Sequence, residues 1–165
     1  MAKDESFDIV SVVDMQEVDN AVQQTAKELA QRYDLKDTGA KVTLDKHAST
    51  ITLTAPSDFV ARQVVDVLGT KLIRREIDLK ALQWGKVETA SGGSVRQTAS
   101  IVNGIEAELA RRINKEIRDE KFKVKVQIEG DKLRVFSSSR DDLQRVIAFA
   151  RQQDYGIPLQ FTNRR

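Results

Sequence analysis

Lys123–Gln153 reads KVKVQIEGDKLRVFSSSRDDLQRVIAFARQQ. Apolar residues alternate on both sides of Gly130-Asp131, at Val124, Val126 and Ile128 and then at Leu133 and Val135. That alternation predicts two half-buried strands joined by a tight turn. Ser139 is a natural helix cap, and the spacing after it is helical. Working outward, Lys41–Leu68, KVTLDKHASTITLTAPSDFVARQVVDVL, has the same layout 82 residues earlier. Val42, Leu44, Ile51, Leu53 and Ile77 correspond without a gap to Val124, Val126, Leu133, Val135 and Leu159. Apolar positions and helix starts that recur together mark an internal repeat.

The rest of the chain fits this repeat. Residues 7–13, FDIVSVV, read as a strand apolar on both sides, the pattern of a strand buried on both faces. Asp14 and Glu17 have capping-box spacing, and Val18, Val22, Ala26, Leu29 and Tyr33 then form a helical stripe. Strands at 41–45 and 49–54 lead to a helix opening at Ser57 or Asp58, with Phe59, Val60, Val64, Val67, Leu68 and Leu72 on its apolar face. A strand over 77–87 carries Trp84, which is out of phase with Ile77 and Leu79 and so faces away from the helices. Ser91-Gly92-Gly93-Ser94 is either a linker or the tip of a hairpin joining 82–90 to 95–102. Strand 95–102, helix 104–120, strands 123–128 and 132–137, a helix from Arg140 and strand 158–163 complete the second half.

Each half reads β-α-β-β-α-β, the order of the ferredoxin-like unit. The expected fold is α+β, with two four-stranded antiparallel sheets that each carry two helices on one face. The expected units are residues 1–90 and 91–165, and an exchange of strands between them suits the same pattern.

Composition bounds the function. The chain has 165 residues, no cysteine and one histidine, His47, in a predicted turn. Disulfides and thiolate metal sites are therefore excluded. The N-terminus, MAKDESFDIV, is polar and acidic, unlike a signal peptide. No run approaches the roughly 18 apolar residues of a membrane span. The expectation is a cytoplasmic protein without membrane partners. Residues 1–90 hold 12 Lys/Arg against 15 Asp/Glu and residues 91–165 hold 15 against 10, so the second half is the basic one. Such a bias suits either an anionic ligand or ordinary solvated faces.

Strand alternation separates core from open face. If Val124, Val126, Ile128, Leu133 and Val135 face the helices, then Lys123, Lys125, Gln127, Lys132, Arg134 and Phe136 face outward, with Gln160 and Thr162. Cations beside an aromatic can neutralise phosphates and stack a base, and they also suit a plain wet sheet face. Arg96 joins this set if Val95, Ala99 and Ile101 are core. The first half's outward set, Thr43, Asp45, Thr50, Thr52 and Thr54, is neutral to acidic. No zinc pattern, phosphate-binding loop or G-x-G-x-x-G occurs, and no nucleophile is grouped with a base. No catalytic residue, metal or cofactor is expected, and the protein is read as a binding module rather than an enzyme.

SFDIVSVVDMQEVDNAV at 6–22, RYDLK at 32–36, DLKALQWGKVE at 78–88, SVRQTASIVNGI at 94–105, SRDDLQ at 139–144 and PLQFTN at 158–163 together resemble the YajQ-like family of small bacterial proteins. The resemblance implies tandem RNP-type domains and a nucleotide ligand such as cyclic di-GMP, GTP or ATP. It also implies action through a transcription regulator, another partner protein or DNA; RNA binding and a protein-interaction scaffold are the alternatives. Arg140, Arg32 and Lys36 lie in the family-like stretches and join Arg96, Lys125, Arg134 and Phe136 as nucleotide-binding candidates. The sequence departs from the family at Leu35–Thr38 and at Arg164, where an aromatic is usual, and it lacks the aromatic motif of RNP domains.

Overall fold

The computed structural model describes residues 4–165. The reading of the extreme N-terminus, where it concerns residues 1–3, lies outside them. In chain order the elements are β1 Glu5–Val10, α1 Met15–Gln31, β2 Lys41–Asp45, β3 Thr50–Ala55, α2 Asp58–Arg74, β4 Leu82–Trp84, β5 Glu88–Thr89, β6 Val95–Ile101, α3 Ala107–Asp119, β7 Lys125–Glu129, β8 Lys132–Ser137, α4 Arg140–Gln152 and β9 Gln160–Thr162. The caps are those expected from the sequence. Asp14 accepts from the backbone N–H groups of Gln16 and Glu17, Ser57 from Val60, and Ser139 from Asp142, so the starts of α1, α2 and α4 have donors satisfied, while α3 begins without a side-chain cap.

The fold is α+β with two antiparallel sheets, ordered β2-β3-β6-β4 and β7-β8-β1-β9, with β5 also pairing β6. A ferredoxin-like sheet has its strands in the spatial order second-third-first-fourth. In the first sheet the place of the first strand is held by β6, and in the second by β1. The two strands are therefore exchanged relative to a simple tandem repeat. The units follow this exchange: one is Val13–Val102, and the other combines the chain up to Val12 with Asn103–Arg165. The expected division into 1–90 and 91–165 is corrected accordingly.

The reason is local. The return through residues 85–94 lays β6 antiparallel on β4, pairing Leu82 with Ile101 and Trp84 with Ala99. Closing a short loop costs less entropy than bringing in a strand from far along the chain. Gly92 and Gly93 both hold positive φ, 71° and 77°, which glycine adopts without a steric penalty. Val95, Ala99 and Ile101 of β6 are then buried with Val18, Leu53, Val64, Leu68 and Leu72 in that unit's core. In the other unit, Phe7 and Ile9 of β1 join Ile113, Ile117, Leu133, Val135 and Val146.

Three further expectations change. A 3-10 turn at Leu79–Ala81 interrupts the expected strand and resets its phase, so Trp84 packs against its own unit's core. β1 is not apolar on both faces: opposite Phe7 and Ile9 it carries Asp8, and Val12 beyond it is exposed. Tyr33 and Phe59 leave their helical stripes and stand 90% and 64% exposed; Ala21, Thr25 and Ala61 take core positions there instead.

Candidate functional site

On β8, Leu133 and Val135 are fully buried, which turns Lys132, Arg134 and Phe136 to the opposite, open face. The register then builds rows across the sheet. Lys125, Phe136 and Ser6 form one row. Gln127, Arg134, Asp8 and Thr162 form the next. Glu129 stands opposite Lys132 in the third, and Val10 opposite Gln160. Lys125, Gln127, Lys132, Arg134, Phe136, Gln160 and Thr162 of the expected outward set are thus on one face; Lys123 precedes β7, and Arg96 lies in the other sheet.

Sequence reasoning missed the residue at the centre of that face. Asp8 is only 3% exposed, although it lies on the side away from the helices. Its Oδ1 accepts from Arg134 Nε at 2.9 Å, and its Oδ2 from Lys132 Nζ at 3.3 Å and Asn163 Nδ2 at 3.0 Å. Asn163 reaches it from a left-handed backbone, φ 56°, a conformation asparagine tolerates better than most residues. Burial pushes the Asp8 carboxyl up, but the hydrogen bonds from Arg134, Asn163 and Lys132, with the Arg134 charge, outweigh it and hold the pKa at about 2. The Arg134 guanidinium is raised in turn, first by its hydrogen bond to Asp8. Glu129 Oε2 stands 3.7 Å from Arg134 Nε. Two cations on the middle rows are therefore matched by two carboxylates. An Asp between Phe7 and Ile9 was visible in the sequence as a strand residue of the opposite phase, but its partners depend on β1 lying beside β8.

The first row keeps its positive character. Asp4, Phe122, Lys123, Val124, Lys125, Phe136, Ser137 and Ser138 line an open concavity of about 360 Å³, with two lysines against one aspartate. Lys125 and Phe136 are direct cross-strand partners there. This corner offers a half-exposed aromatic face beside ammonium groups, the combination that stacks a base and neutralises phosphate.

The other candidates are dispersed. Arg96 is exposed on β6, in the β2-β3-β6-β4 sheet, opposite Thr54 and Glu88. The expectation that it shares a face with Lys125 and Arg134 is corrected, because β6 pairs with β3 and β4. Arg140, at the start of α4, makes a two-point pair with Glu5 at 2.7 and 3.1 Å. That pair, the hydrogen bond foremost, lowers the Glu5 carboxyl. Arg32 Nε lies 2.7 Å from Asp34 and its Nη1 3.3 Å from Glu28. Lys36 sits 5.9 Å from the centroid of the Tyr33 ring. Both belong to the 13–102 unit. Among the described residues no cluster of His, Cys, Asp and Glu could hold a metal ion, and no helix is long and apolar enough to cross a membrane.

The family described as nucleotide-binding protein YajQ-like matches residues 5–165. The chain belongs to the YajQ-like family. Relatives within it include a nucleotide-binding protein of Desulfitobacterium hafniense, 50% identical over all 165 residues of both chains. One of Geotalea uraniireducens is 51% identical over 158 residues, 96% of this chain and 97% of that one. One of Synechococcus elongatus is 49% identical over the whole of both. The likeness covers both units of this YajQ-like chain, including β1 and the segment that carries Asn163.

Proposed function

We propose that the protein binds a purine nucleotide, cyclic di-GMP, GTP or ATP, without turning it over, and acts as an effector through a partner protein such as a transcription regulator or through DNA. The observation that carries this reading is the Lys125–Phe136 pair at the edge of the β7-β8-β1-β9 sheet, beside Lys123 in one concavity. An aromatic ring can stack one base, worth roughly 1–3 kcal/mol by alanine substitution, and two ammonium groups can meet the phosphates. The names of the relatives, all nucleotide-binding proteins, support it further.

The test is a titration with cyclic di-GMP, GTP, ATP and tRNA at two salt concentrations, on the parent protein and on Phe136→Ala and Lys125→Ala. Each substitution is expected to weaken nucleotide binding about tenfold with the fold unchanged, since both side chains point away from the core. Parent-like affinity in both variants would move the site elsewhere. Tight tRNA binding that collapses with salt, with no nucleotide binding, would favour the RNA reading.

A further inference from the structure

Lys132 and Arg134 occupy a central strand of a sheet whose open face has the RNP-type layout, yet both are turned inward onto one carboxylate. We propose that Asp8 is a specificity determinant: together with Glu129 it matches the charges of Arg134 and Lys132, keeps a polyanionic strand off the centre of the sheet, and leaves the Lys123–Lys125–Phe136 corner as the cationic part of that face. The inference rests on the nucleotide reading of that corner and deepens it, because it sets the size and charge of the ligand.

The argument is one of charge and access. A single-stranded nucleic acid crossing the face would lay successive phosphates over the middle rows, and its affinity would come mainly from cations that release counterions. There the cations are already matched. Asp8 is nine-tenths and more buried beneath the groups it binds, and Glu129 flanks Arg134 from the edge strand. A phosphate placed over Arg134 would either share it with Asp8, bringing two anions together, or displace it and leave a buried carboxylate without its partner. Less of that cost falls on a ligand held in the corner, where Lys125 faces Phe136 and Ser6 across the sheet with no acid in the row, and where two lysines outnumber Asp4 in the lining. The other sheet carries fewer cations in line: Arg96 stands between Glu88 and Thr54, with Lys41 beyond Thr54 at the edge, and the next row is Thr43, Thr52 and Thr98.

The experiment uses the full chain, a fluorescent oligouridylate and GTP as probes, and a series of salt concentrations. Asp8→Asn removes the charge and keeps the shape, and its amide oxygen can still accept from Arg134. Expected is oligouridylate binding about tenfold tighter than in the parent, with a log–log salt slope steeper by roughly 0.7–1.4, one or two freed cations at about 0.7 each. GTP affinity rises by less. Adding Arg134→Gln to Asp8→Asn returns both affinity and slope toward the parent, a reversal that a loss of packing would not produce. Unchanged oligouridylate affinity and slope in folded Asp8→Asn overturn the proposal, as does a parent that already binds oligouridylate tightly with a steep slope. Should Asp8→Asn fail to fold, Glu129→Gln on the edge strand carries the test: a smaller gain of the same sign supports the proposal, and no gain overturns it. A parent that fails to bind GTP or the other nucleotides counts against the corner reading alone, while the oligouridylate arm still decides the role of Asp8.

Discussion

Asp8 stands between Phe7 and Ile9, both consumed by the core, and its own side chain takes the opposite face. The stability it provides depends on pH with a definite sign. Its folded pKa, about 2, lies below the ordinary 3.8, so its contribution is complete above about pH 4 and is lost as pH falls toward 2. The shift corresponds to no more than about 2–3 kcal/mol. Chemical denaturation from pH 5 down to 2 should therefore show a steeper loss in the parent than in Asp8→Asn, which begins less stable at neutral pH; parallel curves would remove Asp8 from the acid response. Arg134→Ala leaves the same carboxylate short of its nearest donor. It should cost about 1–3 kcal/mol in a urea melt, whereas Lys125→Ala on the neighbouring row should lie within about 0.5 kcal/mol of the parent. Alternation placed Arg134 correctly on the open face, and there it meets the Asp8 carboxylate at 2.9 Å.

Among the elements, the turn into α3 is the most constrained by shape. Gly104 holds φ 106°, and a Cβ built there would come within 2.7 Å of Asp131 Oδ2 and 3.0 Å of Asp131 Cβ. The N–H of Gly104 bonds the Ser11 carbonyl, and that of Ile105 bonds the Asp131 carbonyl, tying the end of β1 and the β7–β8 turn to the start of α3. Gly104→Ala should destabilise the protein by about 1–3 kcal/mol, from the backbone and the clash together, measurable as a lowered thermal midpoint. Gly39→Ala, where nothing lies within 4 Å of the added carbon, isolates the backbone part alone at its own positive φ. Equal losses at the two positions would show that the close approach to Asp131 is relieved at little cost. The helix caps show how far sequence signals reach at this scale: Asp14, Ser57 and Ser139 act where the sequence placed them, because a cap involves only the next three residues. The strand over 77–87 failed for a related reason. Asp78 accepts from the N–H of Lys80, and the short turn it supports breaks the alternation that had put Trp84 on the wrong side.

For the whole molecule, the exchange of β1 and β6 makes Val13–Val102 a continuous segment with a complete sheet, two helices and its own core. Expressed alone, residues 13–102 should fold cooperatively, with blue-shifted emission from Trp84, the one tryptophan of the chain. Fragments cut at 90/91 should do worse. The first lacks β6 between β3 and β4, and the second lacks β1 between β8 and β9, leaving central hydrogen-bonding edges open. A cooperative, monomeric 91–165 fragment would contradict the exchange. What was legible from the residues was whatever a short window controls: helix starts, strand alternation, the repeat at 82 residues, and therefore which face Lys125, Arg134 and Phe136 take. Alternation tells a side chain which way to point but not which strand will lie beside it, since any antiparallel neighbour satisfies the same backbone groups. That choice came from competition along the chain, in which the short return from β4 brought β6 into the first sheet and left β1 for the second. Two consequences were therefore out of reach of the sequence. Arg96 went to the other sheet, and Asp8 met Arg134 across 126 positions, turning a face read as basic into one that is neutral at its centre and positive at one corner.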